Sequence, residues 1–210
     1  MNRKIVVPVA LLAVAWYLWN PPLAAPLAIE LAQRVAPPTG FSAALSIDRA
    51  PLQQNLQDRP VIRVDDYELS PIADFQLEAL ILGRRDYRRD VEARLAPIDL
   101  ALGWGPMARA EIVDQVSVRQ RGRFYSWQVE AYPIARAEII ANSANMHIIP
   151  ASPDVFAELQ RAERDRRIRL RGYLVNVDRD DGWRWRSSTT RSDSGGGACE
   201  VILVTLAEVY

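Results

Sequence analysis

Cysteine, histidine and lysine each occur once in this 210-residue chain, as Cys199, His147 and Lys4. One cysteine excludes an intramolecular disulfide framework. One histidine and one cysteine fall short of a closed zinc site. The aspartates of Asp65-Asp66 and of Asp178, Asp180 and Asp181 lack the spacing of an ion-binding loop. Gly195-Gly196-Gly197 lacks the lysine and flanking pattern of a phosphate-binding loop. No metal and no cofactor is expected on these grounds. No cysteine follows the N-terminal apolar run closely, which disfavours a lipid-modified terminus.

Net charge is also missing: 26 basic residues face 26 acidic ones. After residue 36 the balance is 23 basic against 25 acidic, a net charge of −2. Nucleic acid held through bulk charge is therefore disfavoured as a partner. With lysine confined to position 4, the other 25 basic residues are arginine, whose planar fork suits bidentate pairing with carboxylates.

The longest apolar run lies at the N-terminus. Arg3 and Lys4 precede Ile5 to Trp19, and Asn20-Pro21-Pro22 would end a helix there. Ala25 is a poor cleavage site, so the segment reads as an uncleaved anchor. Fifteen helical residues rise about 22 Å, less than the ~30 Å hydrocarbon core. Leu23 to Ile29 is expected to complete the crossing, which makes residues 5–29 the membrane contact. Trp16, Tyr17 and Trp19 suit an interfacial belt. The flanking charges place the N-terminus inside and one single-pass domain outside the cytosol. Pro37-Pro38-Thr39-Gly40 reads as a linker, dividing the anchor segment 1–36 from one soluble domain at 37–210.

The domain reads as α+β and β-rich. Phe75, Leu77 and Ala79 alternate with Asp74, Gln76 and Glu78, a half-buried strand with its polar positions towards water. Arg84 to Arg94 reads as a solvated helix or turn laced with ion pairs. Strands are expected at 116–119 and 124–130 about Arg121-Gly122-Arg123, and Asp154 is expected to cap a short helix through Arg161. Residues 168–178 are expected to form a strand bent at Gly172, returning through Asp180-Asp181-Gly182 into an antiparallel strand over 183–190. Val201 to Leu206 suits a buried central strand. Such short strands predict a small barrel or strongly curved antiparallel sheet behind an N-terminal transmembrane helix.

Two constellations carry chemistry. Cys199 and His147 can form a thiol–imidazole pair in which the ring takes the thiol proton. Arg191 and Asp193 are candidates to stabilise an anion or orient the imidazole, and the glycines to offer N–H donors. Against catalysis, Glu200 follows the cysteine where papain-like enzymes carry an aromatic, and Gly196-Gly197-Ala198-Cys199 differs from the Ser-His-Gly-Cys of L,D-transpeptidases. The second constellation is aromatic: Trp183 and Trp185 alternate with Arg184 and Arg186, and Trp104 sits between two glycines. These five are candidates to stack on a sugar or base, while core packing of the tryptophans is the plainer reading.

The segments Leu102-Gly103-Trp104-Gly105-Pro106-Met107, Ser143 to Ala151 and Arg186 to Glu200 resemble an uncharacterised family of bacterial membrane-anchored or exported proteins, over residues 70–210. That resemblance implies a location and a shared domain, without an activity. The strand–Gly–strand pattern of Arg169 to Val177 resembles an OB-type barrel. Together these readings lead to a membrane-anchored extracytoplasmic binding or assembly module of the cell envelope, with an envelope protein as its partner. A thiol-dependent envelope enzyme using Cys199 and His147 is the first alternative. An oligosaccharide or nucleic-acid binder using the Trp183/Trp185 stripe is the second.

Overall fold

The computed structural model describes residues 27–39, 44–57, 60–190 and 199–210. The apolar run Ile5–Trp19 and the pair Arg191 and Asp193 lie outside the described residues. Among the described residues no helix is long and apolar enough to cross a membrane.

Strand is the dominant structure, as the alternating apolar patterns require. In chain order the main strands are β1 (Leu52–Asn55), β2 (Ile62–Val64), β3 (Tyr67–Asp86), β4 (Ile98–Gly103), β5 (Ser117–Arg121), β6 (Phe124–Gln128), β7 (Ser143–Pro150), β8 (Arg167–Arg179), β9 (Arg184–Trp185) and β10 (Glu200–Val209). Among the described residues four short α-helices accompany them: α1 (Ala28–Ala32), α2 (Ala110–Val113), α3 (Arg136–Ala141) and α4 (Pro153–Leu159). One sheet runs β1-β3-β4-β7-β10-β8-β9, and a further β3–β8 pairing closes β3, β4, β7, β10 and β8 into a ring. All pairings round that ring are antiparallel except β7 with β10, which is parallel.

A twenty-residue strand can serve two neighbours only if it bends. β3 pairs with β8 over 67–80 and with β4 over 80–86. Register shifts at Pro71/Ala73 and Ile81/Gly83 supply the bends. The inward side chains, among them Phe75, Leu77, Leu100, Leu102, Met146, Ile148, Leu170 and Ile202, fill the ring. Arg84 secures α4 against it, donating to the carbonyls of Leu159 (2.8 Å), Gln160 (3.1 Å) and Ala162 (3.0 Å).

Outside the ring, Leu69, Val175, Val177, Val201 and Leu203 form a second apolar cluster, covered by Leu27 and Leu31 of the α1 region and by Leu95 and Ala96. The Tyr173 hydroxyl donates to the Ala36 carbonyl at 2.9 Å. Residues 27–36, which the sequence places with the anchor and linker, therefore pack on the barrel.

Several local expectations are corrected. Asp74, Gln76 and Glu78 do not face water; they are 3%, 0% and 6% exposed. Glu78 accepts hydrogen bonds from Arg169 (3.1 Å) and the Tyr210 hydroxyl (2.6 Å), groups from the far end of the chain that fold over this face. Arg84 to Asp86 continue β3, and bends and turns begin only after Tyr87. The cap of α4 is Ser152, whose Oγ accepts from the Val155 N–H at 3.2 Å, whereas Asp154 lies in the first turn. The return strand β9 has two residues, not eight.

The β8–β9 turn lies at its expected place, with Gly182 at φ +87°. Arg179 grips Asp181 there and, with the Trp183 N–H, holds that carboxyl down to about 2. The sign is set by the lowered value. This contribution is complete above the ordinary 3.8 and is lost as pH falls through about 2. Tryptophan fluorescence should report the turn loosening in that window, and Asp181→Asn should remove the step.

Candidate functional site

The polar centre of the molecule is built across β4 and β7. Their register sets Asp99 opposite His147 and Ala101 opposite Asn145. Strand alternation turns Ile98, Leu100, Met146 and Ile148 inward, so Asp99, Asn145 and His147 project from the outer surface of the ring. They are nonetheless buried, at 0%, 1% and 2% exposure, because the β5–β6 hairpin and neighbouring loops lie over them.

Arg123 joins these pieces. It follows Gly122 in the hairpin turn, and both adopt left-handed backbone, with φ of +69° and +57°. Its Nη1 donates to Asp99 Oδ1 and to the Ala96 carbonyl, both at 2.8 Å. Its Nε and Nη2 donate to the two oxygens of Asp90 at 2.9 and 2.8 Å, the bidentate geometry that arginine favours. The guanidinium carbon lies 3.7 Å from the centre of the Tyr87 ring. The Arg123 N–H donates to the Tyr87 hydroxyl at 3.0 Å. Burial opposes the charge on Arg123, but the hydrogen bonds and charges of Asp90 and Asp99 outweigh it, so its pKa is raised. Burial likewise raises the pKa of Tyr87.

His147 Nδ1 lies 2.9 Å from Asp99 Oδ1, the oxygen that Arg123 also reaches. This contact holds the imidazole ring in one orientation against the Asp99 carboxyl. Trp185 closes over the imidazole with ring centres 4.6 Å apart, and Trp183 stands 5.8 Å behind it. Gln120 donates to Asn145 Oδ1 at 2.7 Å, and Asn145 Nδ2 lies 3.4 Å from Asp99 Oδ2. The network thus links two barrel strands, the hairpin and the loop 87–97.

The candidate residues are distributed unevenly. Cys199, half-buried just before β10, directs its Sγ at the Arg123 carbonyl at 3.9 Å, which also accepts from Asn145 Nδ2 at 3.3 Å. His147 and Cys199 therefore both belong to the surroundings of Arg123. Trp104 is 0% exposed inside the ring. Trp183 and Trp185 are partly buried against the second apolar cluster. Arg184 and Arg186 turn away from them to Asp178, at 3.5 and 2.5 Å. Asp99, Arg123, Asp90, Asn145 and Gln120 were not among the sequence candidates. Only Asp99 and Asn145 left a signal, as polar residues interrupting apolar strands.

The arrangement can hold an imidazole in one orientation and fix the hairpin and the loop 87–97 on the barrel. Among the described residues no group of three or more metal-ligating side chains is placed to hold an ion. Compared with known proteins, the chain matches no family model, no curated protein and no solved structure.

Proposed function

We propose that this chain is a binding or assembly module of the cell envelope, an OB-type barrel carried outside the cytosol by an N-terminal membrane anchor. The barrel reading is supported by the strand order. Taking β3, β4, β7, β8 and β10 as strands one to five, the ring runs 1-2-3-5-4 and closes on 1, with strand 3 parallel to strand 5. Helix α4 lies between strands 3 and 4, where an OB barrel carries its helix. The anchor reading is supported by Arg3 and Lys4 ahead of Ile5–Trp19. Because Leu27 and Leu31 are committed to the domain, the span lies before them.

One observation carries binding over catalysis: the polar groups of the centre are committed to one another. The His147 side chain is 3% exposed, bonded to Asp99 and covered by Trp185. OB barrels take ligands across strands 2 and 3 and the loops 1–2 and 4–5. Here those are β4, β7, residues 87–97 and, among the described residues, 180–190, and the network joins β4, β7 and residues 87–97. Preorganised loops suit recognition of an envelope partner, since little ordering remains on binding. One observation favours the thiol enzyme. The Asp99–His147 hydrogen bond orients the ring as a carboxylate orients a catalytic base, with Cys199 nearby.

Alkylation of the single cysteine in the folded protein separates the two. The binding module should label slowly, with a rate that His147→Ala leaves unchanged. Fast labelling at neutral pH that His147→Ala slows would establish the enzyme. A reporter active only outside the cytosol, fused after Tyr210, should give signal; signal from a cytosolic reporter instead would reject the anchor.

A further inference from the structure

A cleft of about 1120 Å³ opens at the base of the β5–β6 hairpin, away from the His147 centre. Asp114 ends α2 on one side, residues 128–132 leave β6 on the other, and Arg164 stands at the margin. Trp127 and Tyr132 form two of its walls. Their ring centres are 6.3 Å apart and their planes meet at 79°, so the aromatic faces make a corner. Tyr132 is 57% exposed.

The charges in the cleft are as distinctive as its shape. Asp114 and Glu130 both line it, and among the described residues neither carboxylate takes an ion pair or a hydrogen bond. Arg164, the one cation on the lining, has Asp165 at 3.5 Å to offset it. The cleft is therefore negative, and its aromatic faces add the negative side of their quadrupoles. An anion would meet repulsion from both. A neutral sugar could stack on one ring but would leave the carboxylate charges uncompensated. A cation with apolar substituents satisfies the corner and the carboxylates together.

We infer that this cleft binds an organic cation bearing a quaternary ammonium group, seated between Trp127 and Tyr132 and balanced by Asp114 and Glu130. The group can come from a free small molecule or from a lipid headgroup. This inference gives a ligand class to the binding-module reading and rests on it, but its test involves neither Cys199 nor His147. The two can therefore fail separately.

The test is calorimetric titration of the full-length protein in a polyoxyethylene detergent with choline chloride, phosphocholine and 3,3-dimethylbutan-1-ol, the uncharged isostere of choline. Saturable binding of choline or phosphocholine is expected, with the isostere at least about fivefold weaker. Tighter binding of choline points to a free cation, and tighter binding of phosphocholine to a lipid headgroup. Tyr132→Ala and Glu130→Gln should each weaken binding at least about fivefold. Both side chains are exposed, and Glu130→Gln alone carries the test if Tyr132→Ala does not fold. Absence of binding by both quaternary ammonium compounds, equal binding of the isostere, or wild-type affinity in Glu130→Gln would each overturn the inference.

Discussion

Asp99→Ala should lower the unfolding free energy by about 3–5 kcal/mol, the range for removing one partner of a buried charge pair. Asp99 is 0% exposed and sits opposite an Arg123 side chain that is 11% exposed. With the carboxylate gone, Arg123 keeps Asp90 and the Ala96 carbonyl, but Nη1 loses its charged partner and His147 Nδ1 loses its acceptor. Neither group can turn to solvent, because Trp185 and the hairpin cover them. Asp99→Asn keeps an acceptor oxygen and loses the charge, so it should cost less. Replacing both partners with apolar residues, as Asp99→Leu with Arg123→Met, should recover part of the loss, since no buried charge then stays unpaired. Urea unfolding with the slope held fixed would measure all three. A loss under about 1 kcal/mol for Asp99→Ala would show that water reaches the network and that it does not fasten the hairpin.

The consequences of that network divide what the chain discloses locally from what it does not. Strands arise from neighbours in sequence, so Phe75, Leu77 and Ala79 mark β3, and Val201 to Leu206 mark β10. Turns arise from residue type, as at Gly122 and Gly182. Which strand face meets water is a different matter. Alternation of Asp74, Gln76 and Glu78 points to solvent only if nothing arrives from elsewhere, yet Arg169 and Tyr210, 91 and 132 residues away from Glu78, arrive there. The same holds for the centre. His147 stands out as the single histidine, and Asp99 as a carboxylate inside an apolar strand. Arg123 is one arginine among 25, and its partners Asp90 and Asp99 lie 33 and 24 residues earlier. Nothing near Arg123 in sequence distinguishes it from Arg121, which is exposed two residues before it. Nor does the Trp/Arg alternation at 183–186 reveal that Trp185 lies against His147.

Closure of the barrel supplies the other large effect. Gly172→Ala should cost about 3 kcal/mol, the upper part of the overpacking range, because a methyl group has no space in the wall there. Gly172 lies in β8 between Phe75 of β3 and Val204 of β10, paired to both. A Cβ on it would stand 1.9 Å from the Leu203 carbonyl oxygen and 2.9 Å from its carbon. These are backbone atoms of the neighbouring strand, so no side-chain rotation relieves the contact. Only displacement of β10 would, and β10 is also held by β7 through the parallel pairing from Glu200 to Val204. The adjoining register shift between Val204 and Leu206 marks the same crowding, and the Thr205 hydroxyl donates to the Arg171 carbonyl there at 3.2 Å. Gly122→Ala is the informative comparison. Its Cβ would meet nothing within 4 Å, so its cost comes only from φ at +57° and should be about 1 kcal/mol. Hydrogen exchange locates each effect: amides of Leu203 and Val204 should lose protection in Gly172→Ala and keep it in Gly122→Ala. If Gly172→Ala is as stable as the wild type with β10 fully protected, β8 and β10 do not approach as described, and the closed ring is wrong at that seam.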